Sequence, residues 1–189
     1  MGPKYEFTSE TFIMDGHVLH RIRHLPDYKL GGLIESEDNL SQEGNCWVGC
    51  SAFVFGNAKV SDSADVHGNA RVYGNAQISG HAKVFDDAKV YDNASIGDYA
   101  WVHDCAKIYG NARIYDYAQV FSHAKVYEDA QIYDNAWIYD KAEVYGNAKI
   151  YDNARVKEDA AVFDNAKVSG HIKVCEGKVC GNTELNDNE

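Results

Sequence analysis

The chain has 189 residues and a formal net charge of −11 at pH 7, with 13 tyrosines and only 2 prolines. Because an acidic surface repels phosphate, this charge excludes general nucleic-acid binding. We expect a cytoplasmic protein without a membrane partner, since the sequence shows no signal peptide and no apolar run near the roughly 18 residues of a membrane span.

The first predicted element is a β-hairpin. Asp15-Gly16 lies between two partly alternating runs, "EFTSETFIM" and "HVLHRIRHL", and this dipeptide favours a type I′ turn. We expect the hairpin and residues 25–33 to close the N-terminal end of the structure that follows, because an open strand edge invites pairing with another chain. The predicted organisation is a capping segment over residues 1–33 and a repeat domain over residues 34–189.

A six-residue repeat fills most of the remaining chain. Alanine occupies every sixth position from Ala52 to Ala166, and valine or isoleucine always follows two residues later. Each unit, such as "AEVYGN" from Ala142, alternates inward and outward residues and then reaches a turn pair, which predicts a short strand and a corner. A helix is excluded because this period would scatter the aliphatic residues around its surface. Strands this short cannot bury a face alone, so the units must stack into an all-β solenoid.

Two resemblances extend this prediction. The units resemble the hexapeptide repeats of left-handed parallel β-helix proteins. In addition, "LHRIRHL" followed by "GGLIESEDNLSQEGNCWV" is similar to the opening of the YdcK-like proteins, a bacterial and phage-borne family usually labelled as acyltransferases. The resemblance implies a left-handed, three-sided β-helix of about eight coils, each built from three units. It also implies a homotrimer, because proteins of this superfamily commonly associate through a flat side.

Residues one coil apart then form columns along the solenoid. One column is aromatic, a basic column lies beside it, and an asparagine column marks the next turn. We predict that this side binds a ligand, because tyrosine, asparagine and lysine or arginine together suit stacking on a base and pairing with a phosphate. The predicted binding residues are Tyr73, Tyr91, Tyr109, Tyr127, Tyr145, Arg71, Lys89, Lys107, Lys125, Asn93 and Asn111.

The aromatic column has a second interpretation, because stacked tyrosines and asparagines also stabilise a solenoid without any ligand. An exposed strip of such rings would be as large as the largest apolar patch of a typical monomer. We therefore expect a partner to cover part of it: further copies of the chain, another protein, or a nucleotide in the clefts between subunits. Trp47, Trp101 and Trp137 share another column, either as ordinary surface residues or as contacts for a protein partner.

The sequence favours a non-catalytic role over catalysis. Acyltransferases of this superfamily typically interrupt the solenoid with a loop and use a histidine as general base, whereas residues 46–175 contain no insertion. His103, next to Asp104, is the catalytic candidate if the protein is an acyltransferase. We predict no metal and no cofactor, because the five cysteines lack C-x-x-C spacing and the histidines lack the close pair that γ-class carbonic anhydrases use for zinc.

Three functional hypotheses remain. The leading one is a non-catalytic, homotrimeric binding or scaffold protein that presents the aromatic, asparagine and basic side. The second is an acyltransferase that uses His103. The third, implied by the phage-borne relatives, is an inhibitor of host defence that binds a protein through its acidic turns or sequesters a nucleotide.

Overall fold

The structure, a computed structural model, describes residues 2–25 and 27–187. Among these residues the secondary structure consists of β-strands and a short 3-10 helix at Glu37–Asn39. Along the solenoid, successive strands go in turn to three sheets, named A, B and C, so each sheet receives every third strand. This arrangement confirms the predicted all-β parallel solenoid of about eight coils.

Sheet A contains 11 strands and begins with the N-terminal hairpin. Its strands, in spatial order, are β1 (Tyr5–Met14), β2 (His17–His24), β3 (Leu30–Ile34), and then Phe53–Val54, Arg71–Val72, Lys89–Val90, Lys107–Ile108, Lys125–Val126, Glu143–Val144, Ala161–Val162 and Lys178–Val179.

Sheets B and C each contain eight strands of two residues. Sheet B comprises Lys59–Val60, Gln77–Ile78, Ser95–Ile96, Arg113–Ile114, Gln131–Ile132, Lys149–Ile150, Lys167–Val168 and Glu184–Leu185. Sheet C comprises Trp47–Val48, Asp65–Val66, Lys83–Val84, Trp101–Val102, Gln119–Val120, Trp137–Ile138, Arg155–Val156 and Lys173–Val174.

The coil strands pair in parallel, and each residue lies opposite the residue one coil later. Lys89, for example, pairs with Arg71 on one side and with Lys107 on the other. The first and last coils differ in length from the others: Leu33 pairs with Phe53, 20 residues later, and Ala161 pairs with Lys178, 17 residues later. This register brings the residues of each predicted column onto one line parallel to the solenoid axis.

The core consists of the two inward positions of each unit. The alanines from Ala52 to Ala166, and the valine or isoleucine two residues after each, are at most 1% exposed. Alanine suits the position beside the corner, where the chain turns and leaves room for a methyl group only. The aliphatic side chains fill the centre, and their burial stabilises the stack.

The corners are closed by residues in the left-handed conformation. Gly74 has φ 71° and Asp92 has φ 57° at equivalent positions. At the acidic corners the carboxylate commonly accepts a hydrogen bond from the backbone N–H one coil later, as Asp92 does from Gly110 at 3.1 Å. The residues that make this contact are Asp62, Asp92, Asp98, Asp104, Asp116, Glu128, Asp134, Asp140, Asp152 and Asp164. Much of the negative charge is therefore part of the turns.

The N-terminal segment extends sheet A over the first coil. Asp15 and Gly16 both have positive φ, which agrees with the predicted type I′ turn between β1 and β2. β3 pairs antiparallel with β2 and parallel with Phe53–Val54, so it joins the predicted capping segment to the repeat domain. Tyr5 is 2% exposed and its hydroxyl donates to the Leu40 carbonyl at 2.9 Å. The hairpin is thus consistent with a cap.

The Gly31-Gly32 pair lets β3 pass close to the first coil. A Cβ atom at Gly32 would lie 2.5 Å from Val48 Cγ1 and 2.6 Å from the Ala52 carbonyl oxygen. Any larger residue would push the strand away from the coil on which it packs. Close packing therefore accounts for the glycine pair at the start of the segment that resembles the YdcK-like opening.

Candidate functional site

The predicted aromatic residues form one continuous stack on sheet A. Adjacent ring centroids are 4.8 to 5.1 Å apart and the ring planes are within 6° of parallel. We call Phe55, Tyr73, Tyr91, Tyr109, Tyr127, Tyr145 and Phe163 the tyrosine column. Because each ring covers the face of the next, the five tyrosines are half-buried. The ring faces are therefore covered within the column, and the ring edges are the parts of the strip that remain exposed.

Burial of the tyrosine column shifts its ionisation. Burial, with a smaller contribution from the neighbouring Tyr73 and Tyr109, raises the pKa of Tyr91 to about 12. Burial and the nearby Glu143 carboxylate raise the pKa of Tyr127 as well. The phenols of this column are therefore protonated at neutral pH and can donate hydrogen bonds.

The basic column lies two residues before the tyrosine column on the same strands. We give this name to Arg71, Lys89, Lys107 and Lys125, which pair directly with one another on consecutive strands. The next residue of the line is Glu143, which forms an ion pair of 2.7 Å with Lys125. Over residues 2–25 and 27–187, Lys89 and Lys107 have no ion pair. Like charges in this arrangement repel, so the column creates a positive strip on an acidic protein.

The asparagine column marks the corner between sheets A and B. Asn93 donates from its side-chain nitrogen to Asn111 at 3.1 Å, and Asn111 donates to Asp129 at 2.9 Å. Each amide thereby uses one N–H and one oxygen lone pair along the column. The second N–H of each amide is directed to no residue of the described chain, so it can serve a ligand.

A groove that the sequence did not reveal follows the opposite border of the basic column, where sheet C turns into sheet A. We call it the C/A edge. A depression of about 300 Å³ is lined by Asn69, Arg71, Asp87, Lys89, Cys105 and Lys107. Further along, a depression of about 590 Å³ is lined by His123, Lys125, Lys141, Glu143, Asp159, Ala160 and Ala161. The 18-residue spacing of its corner residues predicts that they form one row, whereas the depth of the groove depends on the sizes of neighbouring outward side chains.

His103 lies on the sheet C side of this edge, in a separate stack of rings. Its imidazole is sandwiched between Phe85 at 4.7 Å and Phe121 at 5.0 Å. Its Nδ1 is 3.6 Å from the Asp104 carboxylate, which also accepts a hydrogen bond from the Ser122 N–H at 3.0 Å. The structure therefore does not bring His103 together with the predicted binding residues.

Asp86 and Asp104 surround His103 with carboxylates. One ligand atom from each of these three residues lies within 4.8 Å of the others. Carboxylate and imidazole groups at such distances could hold a divalent cation. The sequence prediction of no metal identified Asp104 as a neighbour of His103 and overlooked Asp86.

Aromatic stacking also occurs on the other two sides of the solenoid, whereas the sequence singled out one. Tyr115, Tyr133 and Tyr151 stack at 5.0 Å on sheet B. Tyr99 and Tyr117 stack at 5.1 Å on the corner between sheets B and C, with 47% and 58% of their surfaces exposed. Stacking by itself is thus a general property of this solenoid, and the basic column distinguishes sheet A.

The tryptophan column is partly covered by cations. Lys83 Nζ lies 5.1 Å from the Trp101 ring centroid, and the Arg155 guanidinium lies 4.6 Å from that of Trp137. Such contacts stabilise exposed rings by about 0.5–1 kcal/mol. They support the interpretation of Trp101 and Trp137 as ordinary surface residues, whereas Trp47 packs against the core beside His24.

Comparison with known proteins gives one family match. Residues 106–121 match the YdcK β-solenoid repeat. No curated protein matches the chain. Within the ranges that the structure describes, none of the helical residues forms a segment capable of crossing a bilayer. The repeat match and the parallel solenoid of about eight coils support the placement of this chain in a YdcK-like β-solenoid repeat family.

Proposed function

We propose that the protein is a non-catalytic binding and scaffold protein, a homotrimer whose sheet A side takes an anionic partner. The basic column carries this proposal. Four cations lie directly opposite one another on consecutive strands, and like charges in such positions destabilise a sheet. A negatively charged partner removes this repulsion, so the column is best explained as a binding feature.

The corresponding rows on the other sheets support this interpretation. On sheet B, Arg113 lies between Ser95 and Gln131. On sheet C, Lys83 lies between Asp65 and Trp101. In these rows at most two cations are adjacent, Lys149 with Lys167 and Arg155 with Lys173, so the run of four is specific to sheet A.

A nucleotide in the cleft between subunits is the ligand that we favour. Its phosphates would pair with the basic column, and tyrosine hydroxyls and asparagine amides would donate hydrogen bonds. Base stacking contributes less than the sequence suggested, because the tyrosine faces cover one another. We expect this binding to take place in the cytoplasm. Of the two forms of the host-defence hypothesis, the sheet A side supports sequestration of a nucleotide.

Mass spectrometry of molecules released from the purified, denatured protein tests this proposal. We expect the wild type to release a nucleotide and the variant R71Q/K107Q to release none. The variant K59Q/K149Q removes the same charge from sheet B and should behave as the wild type. Wild-type protein that releases no nucleotide, or equal release from both variants, would contradict nucleotide binding at this side.

The acyltransferase hypothesis has one favourable observation, the Asp104 carboxylate beside His103. If that hypothesis holds, acetyl-CoA should raise the melting temperature of the wild type and leave H103A unchanged. Under the binding hypothesis, acetyl-CoA, which itself contains an adenine nucleotide, should change the melting temperature of both proteins equally. The two Phe rings around His103 favour the second result, because they restrict access to the imidazole.

A further inference from the structure

The geometry points to the C/A edge as the surface through which copies of this chain meet around a threefold axis. In this arrangement the sheet A residues beside the edge of one copy pair with the corner residues of the next copy. The inference rests on the homotrimer of the proposed function and adds the surface, the orientation and the register of its assembly.

Cyclic symmetry fixes which coils can meet. When three rods lie parallel to a threefold axis, equivalent residues have the same height, so each coil contacts the same coil of its neighbour. A side and the adjoining corner of a three-sided rod face directions about 60° apart. In a closed ring of three, the directions from one copy to its two neighbours are also about 60° apart. Sheet A and its corner with sheet C satisfy this condition.

The charges along the C/A edge are complementary in two of its coils. In one coil the corner carries Asp87 and the adjacent sheet A position carries Lys89. Three coils later the signs are reversed, with Lys141 at the corner and Glu143 on the sheet. In the ring, each corner residue faces the sheet A residue of the same coil in the next copy. If only the corner row or only the sheet A row changed sign, that coil would bring like charges together.

Over the described residues, Asp87, Lys89 and Lys141 have no ion pair within one copy, whereas Glu143 already pairs with Lys125. Among the described residues, no ion pair joins Asp87 to Lys89 or Lys141 to Glu143. Asp87 accepts only a neutral hydrogen bond, from the Asn69 amide at 3.1 Å. In the proposed ring, Lys89 meets Asp87 of the next copy and Glu143 meets Lys141 of the next copy. The rest of the basic column stays available to a ligand in the cleft.

The spacing along the edge favours a second copy over an acidic peptide. The charged positions repeat once per coil, at about 4.8 Å, which is the separation of neighbouring strands. Side chains on one face of an extended peptide repeat at about 6.7 Å and soon fall out of register with such a row. A second copy has the same repeat along its whole length, and the depressions at both ends of the edge give its side chains room.

Size-exclusion chromatography with light scattering tests the pairing through charge reversal. We expect the wild type to be a trimer, and we expect K89D and K141E each to weaken association at least tenfold. The swapped variants D87K/K89D and K141E/E143K should restore the trimer, because they re-create opposite charges at equal height. K59E, a reversal on sheet B, should remain trimeric, and circular dichroism should show the same fold for every variant.

The outcomes separate this inference from the proposed function. A trimer that tolerates K89D and K141E, or that the swapped variants fail to restore, overturns the C/A edge as the interface and leaves the homotrimer in place. A monomeric wild type overturns both the homotrimer and this inference, whereas nucleotide release still decides the binding function.

Discussion

Asp92 shows how single residues close the corners of this solenoid. Its φ of 57° lies in the left-handed region, which costs most side chains about 1–2 kcal/mol and suits aspartate and asparagine better than alanine. Its carboxylate accepts the Gly110 N–H at 3.1 Å, a backbone donor of the next coil. One side chain therefore fixes the turn and links two coils.

Substitution of this residue tests its two roles together. D92A places alanine at positive φ and leaves the Gly110 N–H without its acceptor, so we expect the free energy of unfolding to fall by about 2 kcal/mol. D92N keeps an acceptor oxygen and tolerates the backbone, so its loss should stay below about 1 kcal/mol. Urea denaturation of both variants measures the difference, and equal losses would contradict both roles.

The tyrosine column should make the folded protein less stable at alkaline pH. The pKa of Tyr91 rises from 10.0 to about 12 on folding, so the folded state holds this proton more tightly than the unfolded state. The stabilisation from this shift is complete below pH 10 and is lost as the pH rises towards about 12. We expect urea midpoints to fall across this window, with a smaller fall in Y91F. If the phenolate absorbance of Tyr91 changed at its ordinary pKa of 10.0, the result would contradict the shift.

At the scale of elements, the N-terminal hairpin acts through a few inward residues. Tyr5 and Ile22 join the main core, and the Tyr5 hydroxyl satisfies the Leu40 carbonyl above the first coil. Antiparallel strands thus continue sheet A while two of their side chains cover the end of the core. This arrangement explains how a flat hairpin can protect a three-sided stack.

Removal of the Tyr5 hydroxyl tests the cap. In Y5F the buried Leu40 carbonyl loses its partner, which should destabilise the first coil by about 1–1.5 kcal/mol. Hydrogen–deuterium exchange should accelerate at the Ser41 N–H, which donates to the Val60 carbonyl at 2.9 Å. The Tyr145 N–H, which donates to the Val162 carbonyl far from the cap, serves as the internal control. Uniform acceleration at both amides would contradict a local cap.

The repeat made most of this architecture predictable, because a strict six-residue period determines which residues face inward and which ones share a column. Asn39 shows the limit. It has the spacing of the asparagine column, but it is fully buried and donates to the Gly56 and Ala58 carbonyls at 2.9 and 2.8 Å. The first coil is two residues longer than the regular coils, as the pairing of Leu40 with Val60 shows, so Asn39 is out of register with Asn57 and backbone contacts replace the amide pairing. The C/A edge groove escaped prediction because it depends on the relative sizes of neighbouring outward side chains.

At the scale of the whole molecule, the repeating element is the coil and not the six-residue unit, because three kinds of contact join residues one coil apart. Backbone pairing, ring stacking and the amide column all join residues one coil apart, as Tyr91 joins Tyr109 and Asn93 joins Asn111. The inward residues, in contrast, are nearly the same in every unit. The core would therefore accept a shift by one unit, and the outward columns would not.

Deletions of different length test this distinction. Deletion of residues 95–112 removes one complete coil, rejoins Tyr91 with Tyr127 as stacking partners, and should lower the melting temperature by only a few degrees. Deletion of residues 95–100 removes a single unit, so every later column moves to the next sheet and Asn93 meets Tyr117 in place of Asn111. We expect this shorter deletion to lower the melting temperature more than the longer one, although it removes fewer core residues. If the shorter deletion were the more stable protein, the alanine and aliphatic core alone would set the stability, and the outward columns would have no part in holding the coils in register.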